Sequence, residues 1–226
     1  MCQNRFDPLL MRAAAMTEMP AENAEPAQAP AAPVRKRPRP GERRIQILQT
    51  LAQMLEQPGA ERITTAALAS RLEVSEAALY RHFASKAQMF EGLIDFIEHS
   101  VFTLVNQIAE REEPGEQKAA RMVSMLLQFA DKNPGMTRVM VGDALVFENE
   151  RLHQRMNQFF DRIELSLRQV LRESESVKLS STPTVEAQVR ASALVSFTQG
   201  RLHRFARSGF KKSPMEHLDA SLPLFF

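Results

Sequence analysis

The sequence predicts an all-α fold in which an N-terminal three-helix unit of the helix-turn-helix kind is joined by a long helix to a larger helical domain. Three observations predict it. Apolar residues recur three and four positions apart over successive stretches from residue 43 to residue 208, with no β signal in the chain. The breaks between stretches carry proline and glycine, at Pro58-Gly59, Pro114-Gly115 and Pro134-Gly135. Residues 64–83, TTAALASRLEVSEAALYRHF, read as two short helices joined by a tight turn.

The chain begins with residues 1–34, rich in Ala, Pro, Glu and Gln and without a sustained period, which read as a disordered tail because they offer too little apolar surface to offset ordering. Residues 35–44, RKRPRPGERR, follow with six basic groups against one acidic. Pro38 and Pro40 keep this arm extended, and its charge suits a DNA backbone or minor groove. The bracing helix is expected from about Arg43 to Gln57, with Ile47, Leu48, Leu51, Met54 and Leu55 as its buried stripe and Pro58-Gly59 as its stop.

Thr64 or Thr65 caps the next helix, where Leu68, Ala69 and Leu72 share one face. Ala69 is small where two helices must cross closely. Glu73-Val74-Ser75 forms the turn: Val74 points to the core, and Ser75 caps the following helix with Glu76 at its positive end. Glycine is common at the turn position of Glu73, where a left-handed backbone is easier without a Cβ, so either Glu73 carries a modest strain or the turn differs slightly. Ala78, Leu79 and Phe83 face inward, so Glu76, Ala77, Tyr80, Arg81 and His82 are left on the outer face.

Ser85 caps a long helix, about Lys86 to Glu110, with more apolar positions than one stripe can use, as expected of a helix shared between two cores. Further helices are expected over 116–131, 136–147, 148–174 and about 184–208, the last capped by Thr184. Ser180 to Pro183 is a loop, and Pro214 opens a final helical stretch that ends LPLFF. Gly200, in the middle of a helix, is explained by close approach of another backbone.

Function classes narrow from composition. Net charge is only +2, so the basic arm beside the helix pair, and not the whole-chain balance, is the electrostatic sign of nucleic acid. One cysteine, Cys2, allows no intrachain disulfide. The five histidines, at 82, 99, 153, 203 and 217, show no metal-ligand spacing, and there is no phosphate-cradling glycine loop and no G-x-S-x-G. The expectations are therefore no enzyme, no metal, no cofactor and no membrane span, and a cytoplasmic protein.

The segments ITTAALA, VSEAALYRHF and SKAQMF, in that order and spacing, resemble the TetR family of dimeric helix-turn-helix regulators. GDALVFE, RMNQFFDRIELSLRQVLRE and FARSGFKKSP extend a likeness within that family over nearly the whole chain after Arg43. The resemblance implies three parts: a tail with basic arm, 1–42; a DNA-binding domain, 43–85; and a helical dimerisation and partner-binding domain, 86–226. It implies a homodimer on double-stranded DNA, with Arg43, Arg44, Thr64, Thr65, Ser75, Glu76, Ala77, Tyr80, Arg81, His82 and Lys86 as candidate contacts. Val189, Ala193, Phe197, Gly200 and Phe205 are candidates for the dimer interface. It further implies association with the nucleoid and nucleoid occlusion: bound to DNA, the protein would antagonise assembly of the tubulin-like division protein FtsZ, through a face near Phe96, Lys132 and Asn133. The other function considered is a ligand-responsive TetR-type repressor, although no small-molecule effector is expected.

Overall fold

A computed structural model describes residues 41–57 and 62–226. The tail, most of the basic arm and the Pro58-Gly59 stop fall outside the described residues. Among those described the fold is all-α. The helices are α1 (Glu42–Leu55), α2 (Thr65–Arg71), α3 (Glu76–Tyr80), α4 (Lys86–Ala109), α5 (Gly115–Lys132), α6 (Pro134–Met140), α7 (Glu150–Leu171), α8 (Glu175–Lys178), α9 (Pro183–Arg207) and α10 (Leu218–Ser221).

Helices α1 to α3 form the head. The α1 stripe of Ile47, Leu48, Leu51 and Leu55 is buried with Ile63, Leu68, Leu79 and Phe83, so each short helix contributes one or two large side chains and α1 contributes the rest. The first half of α4 closes this core with Met89, Phe90, Leu93 and Ile94, and its second half sends Val101, Val105 and Ile108 into the body. One helix therefore serves head and body, whose buried residues form one continuous cluster and not the two separate cores expected from its excess of apolar positions. In the body, α5, α7 and α9 pack on one another, and Phe159 sits edge-on to Phe102 of α4 at 5.4 Å and to Phe160 at 5.1 Å, separations typical of favourable aromatic pairs.

Head and body also meet through α6. A Cβ at Gly135 would lie 2.1 Å from the carbonyl oxygen of Ala52, so the start of α6 rests directly on the backbone of α1, and only glycine permits that approach. A second line of contacts runs along α4. Lys86 pairs with Glu148, Arg151 pairs with Glu91, and Arg155 pairs with Asp95 at 2.6 Å and Glu98 at 2.7 Å. The hydrogen bonds that Arg155 donates to the Glu98 carboxylate, ahead of the opposing effect of burial, hold its guanidinium in the charged form beyond the usual range.

Several boundaries differ from the sequence expectation, each for a local reason. The helix expected over 136–147 starts at Pro134, whose fixed φ suits a first helical position, and stops at Met140 because Gly142 takes a φ of 84° and turns the chain into a 3-10 turn, Asp143–Leu145. The helix expected over 148–174 is capped later, by Asn149, whose side chain accepts from the Arg151 N–H at 3.0 Å; it ends at Leu171 and is followed by the separate turn of α8. Thr184 lies inside α9, not at its cap, because Pro183 takes the first position and Thr182 precedes it. The last helix begins only at Leu218, after His217 adopts a left-handed backbone with φ 52°, and Pro214 lies in the preceding turn.

Candidate nucleic-acid interface

The reading unit is built from its caps inward. Thr64 accepts from the Ala67 N–H at 3.1 Å and starts α2, and Ser75 accepts from the Ala78 N–H at 3.3 Å and starts α3. Between them Glu73 has a φ of 53°, the left-handed backbone that lets the Val74 N–H bond the Ala69 carbonyl at 3.0 Å and turn the chain within three residues. Val74 packs against the core, and Leu79 and Phe83 are fully buried. With that face sealed, Glu76, Ala77, Tyr80, Arg81 and His82 are on the surface, and Tyr80 keeps 46% of its area in solvent. A half-buried tyrosine braced against α1 is thus not what the chain forms.

Both ends of α3 are tethered by side chains from elsewhere. At its start the Thr65 hydroxyl donates to the Glu76 carboxylate at 2.6 Å. At its end an Arg44 N–H donates to the His82 carbonyl at 2.7 Å, and the same guanidinium lies 3.9 Å over the Phe83 ring. Sequence reasoning had no means to find this second tether, since the partners are 38 residues apart and neither forms a local motif. Beyond Phe83, Ser85 accepts from the Gln88 N–H at 3.2 Å while the Gln88 side chain accepts from the Ala84 N–H at 2.9 Å, a reciprocal cap that fixes the entry to α4.

The structure brings Thr64, Thr65, Ser75 and the outer face of α3 into one surface and treats two other expected contacts differently. Lys86, at the start of α4, is held by Glu148 and lies 5.7 Å over the Phe90 ring, so its charge is already matched within the chain. Arg43 is near the surface and donates to Gln46 at 2.6 Å along α1. The arrangement offers hydroxyl, phenol, imidazole and guanidinium donors at a helix pair's outer face, the groups that hold phosphates and reach base edges. Among the described residues no group of three or more His, Cys, Asp or Glu side chains is placed to hold a metal ion, and no helix is long and apolar enough to cross a membrane.

The expected partner and dimer residues divide. Phe96 is only 4% exposed and packs against Phe129, with ring centroids 6.4 Å apart, so it supports the surface from behind and cannot itself be offered as a contact. Lys132 is exposed, and the Asn133 side chain donates to the Phe129 carbonyl at 2.7 Å, ending α5. Along α9, Val189 is 61% exposed, Ala193 is half-buried, and a Cβ at Gly200 would meet nothing of this chain within 4 Å. Among the described residues, no backbone of another element approaches Gly200. Phe197 is half-buried between Phe225 and the Arg201 guanidinium. Phe205 is corrected to a core residue: it is 3% exposed and sits edge-on to Phe210 at 5.1 Å. Val185, which repeats with Val189 and Ala193 at every fourth position of α9, is 59% exposed, and Leu165 on α7 is an exposed apolar residue that the sequence reading did not name.

Comparison with known proteins agrees with this division into head and body. Residues 47–93 match the model of the bacterial regulatory proteins of the tetR family, and residues 117–226 match the SlmA-like model of the tetracyclin repressor-like C-terminal domain. The chain is 51% identical over 183 residues to the nucleoid occlusion factor SlmA of Aliivibrio fischeri, covering 80% of this chain and 93% of that one. It is 52% identical over 178 residues to the SlmA of Vibrio cholerae, covering 78% and 90%. Among solved structures, the TetR family regulator PfmR from Thermus thermophilus superposes with a TM-score of 0.65 at 20% identity, over 80% of this chain and 96% of that one. FadR from Bacillus subtilis, in complex with stearoyl-CoA, superposes with a TM-score of 0.63 at 14% identity, over 80% and 96%, and shows likeness of fold alone. With both halves matched and half of the aligned residues identical, the chain belongs to the family of the nucleoid occlusion factor SlmA, within the TetR-type helix-turn-helix proteins.

Proposed function

We propose that this chain is a homodimeric, sequence-reading DNA-binding protein that acts in nucleoid occlusion, holding FtsZ assembly away from the chromosome. The observation that carries the reading is 51% identity to SlmA over four-fifths of the chain, spanning the reading head and the body together. A helix-turn-helix head alone would support only a regulator of unspecified target.

On DNA, Tyr80 and Ala77 of α3 meet base edges and methyl groups, Arg81 and His82 hold the backbone, and Thr64, Thr65 and Ser75 bind phosphate with the N–H groups of their helix starts. Arg43 adds charge beside them. Because Glu76 and Ala77 carry no long donor, part of the sequence preference comes from DNA shape. A second copy covers the outer face of α9 at Val189, Ala193, Phe197 and Gly200, burying apolar side chains that a lone chain leaves in water. FtsZ meets the corner of Lys132 and Asn133, with Phe96 and Phe129 as its support.

Mapping of bound sites across the chromosome tests the reading. Division control predicts many sites spread over the chromosome and depleted near the replication terminus; a single site at a neighbouring promoter would overturn it in favour of a repressor.

A further inference from the structure

We propose that Arg44 is a positioning residue for DNA reading: it holds the carboxyl end of the reading helix in place through the chain and does not serve as a phosphate contact. Helix α3 has five residues, too few to be stable on its own, and its last exposed groups, Arg81 and His82, lie beyond its final turn. Their backbone is fixed by the His82 and Phe83 N–H groups, which both bond the Leu79 carbonyl, and on the carbonyl side by Arg44. The His82 carbonyl lies one residue past the C-cap Arg81, outside the hydrogen-bond ladder of α3, and the Arg44 guanidinium supplies its donor at 2.7 Å.

The same guanidinium covers the Phe83 ring at 3.9 Å, and Phe83 is 1% exposed although it lies three residues beyond the helix and one away from exposed His82. Arg44 thus performs two tasks at one point. It caps the carbonyl end and roofs the aromatic anchor that sets how deep the reading helix stands. Only a planar group with a directed N–H can do both; an ammonium can bond the carbonyl but cannot lie flat on the ring. Groups that read DNA must be held within about 0.5 Å by their supports, so losing this roof shifts Tyr80, Arg81 and His82 together.

The inference rests on the DNA-reading part of the proposed function. The experiment uses the full chain, wild type, Arg44→Lys and Arg44→Ala. Binding is measured against a duplex selected by the wild-type protein from a random pool and against an unrelated duplex of equal length, each over a series of salt concentrations. Both variants should lose about tenfold or more on the selected duplex, remain within about twofold of wild type on the unrelated one, and keep the wild-type salt dependence. A phosphate contact would behave otherwise: Arg44→Ala would weaken both duplexes alike and lower the salt slope by about 0.9 for each head of the dimer on the duplex, and Arg44→Lys would restore binding. That result would overturn the proposal. Should Arg44→Ala fail to fold as a dimer, Arg44→Lys, which keeps the charge and the stem, decides alone. A wild-type chain that selects no duplex would instead remove the DNA-reading function itself, an outcome distinct from either behaviour of the variants.

Discussion

Glu73 and Tyr80 show what single residues settle. At Glu73 a side chain occupies a left-handed backbone, φ 53°, where only glycine is unstrained. Glu73→Gly should therefore stabilise the protein by up to about 1 kcal/mol, read as a higher denaturation midpoint at unchanged m-value. Tyr80→Ala removes the largest exposed ring of α3 without touching the head core, so it should weaken binding to a selected duplex by about 10- to 100-fold while the melting temperature changes little. At this scale the sequence was informative wherever the physics is local. Thr64, Ser75 and Ser85 cap where their position before an apolar run places them, and the left-handed turn at Glu73 follows from three residues between two helices. Arg44, Lys86 and Phe96 were illegible because their partners, His82, Glu148 and Phe129, lie far along the chain or on another helix. A cation near a DNA-reading unit looks like a phosphate contact until its internal partner is known.

Among the elements, α6 deserves separate treatment because it joins the two halves. Seven residues long, it is begun by Pro134 and ended by the turn at Gly142, and it places Gly135 against the Ala52 carbonyl. Gly135→Ala would put a Cβ where 2.1 Å is available, and the head must move off the body to admit it. The expected cost is about 1–3 kcal/mol in stability, together with faster hydrogen exchange in α1 than in α7. Helix existence and type were legible for the longer helices, since apolar spacing survives any tertiary detail, whereas the four residues of α8 are too few to show a period. The division of 136–147 into a helix and a 3-10 turn was not, because a glycine after a helical run reads equally as an end or as a tolerated interior residue. The start of α9 moved from Thr184 to Pro183 for another reason, because a proline after a polar run reads as loop and suits a first helical position equally.

For the whole molecule, the exposed apolar row of Val185, Val189 and Ala193 on α9, with Leu165 at 52% exposure on α7, is surface that a single chain leaves uncovered. Val189→Asp should raise the dimer dissociation constant by about tenfold or more, seen as a shift to monomer by sedimentation velocity at micromolar concentration, with the helical content unchanged. DNA binding by that variant should weaken in parallel, because two heads joined in one dimer bind neighbouring half-sites far better than either alone. The exposed apolar row on α9 could be read from the fourfold spacing; Phe205 was misplaced because Phe210, which packs against it, follows a turn with two consecutive left-handed residues, Gly209 and Phe210, that spacing cannot foresee. The claim on which the account depends is that the body acts on FtsZ when the head is on DNA. Sedimentation of purified FtsZ with GTP tests it most directly, with the protein present alone and with a verified duplex bound. The account predicts that the DNA-bound dimer lowers the pelleted fraction of FtsZ more than the free dimer does, and that a variant with Lys132→Glu does so less. An unchanged pelleted fraction, with the duplex shown to be bound, would contradict it.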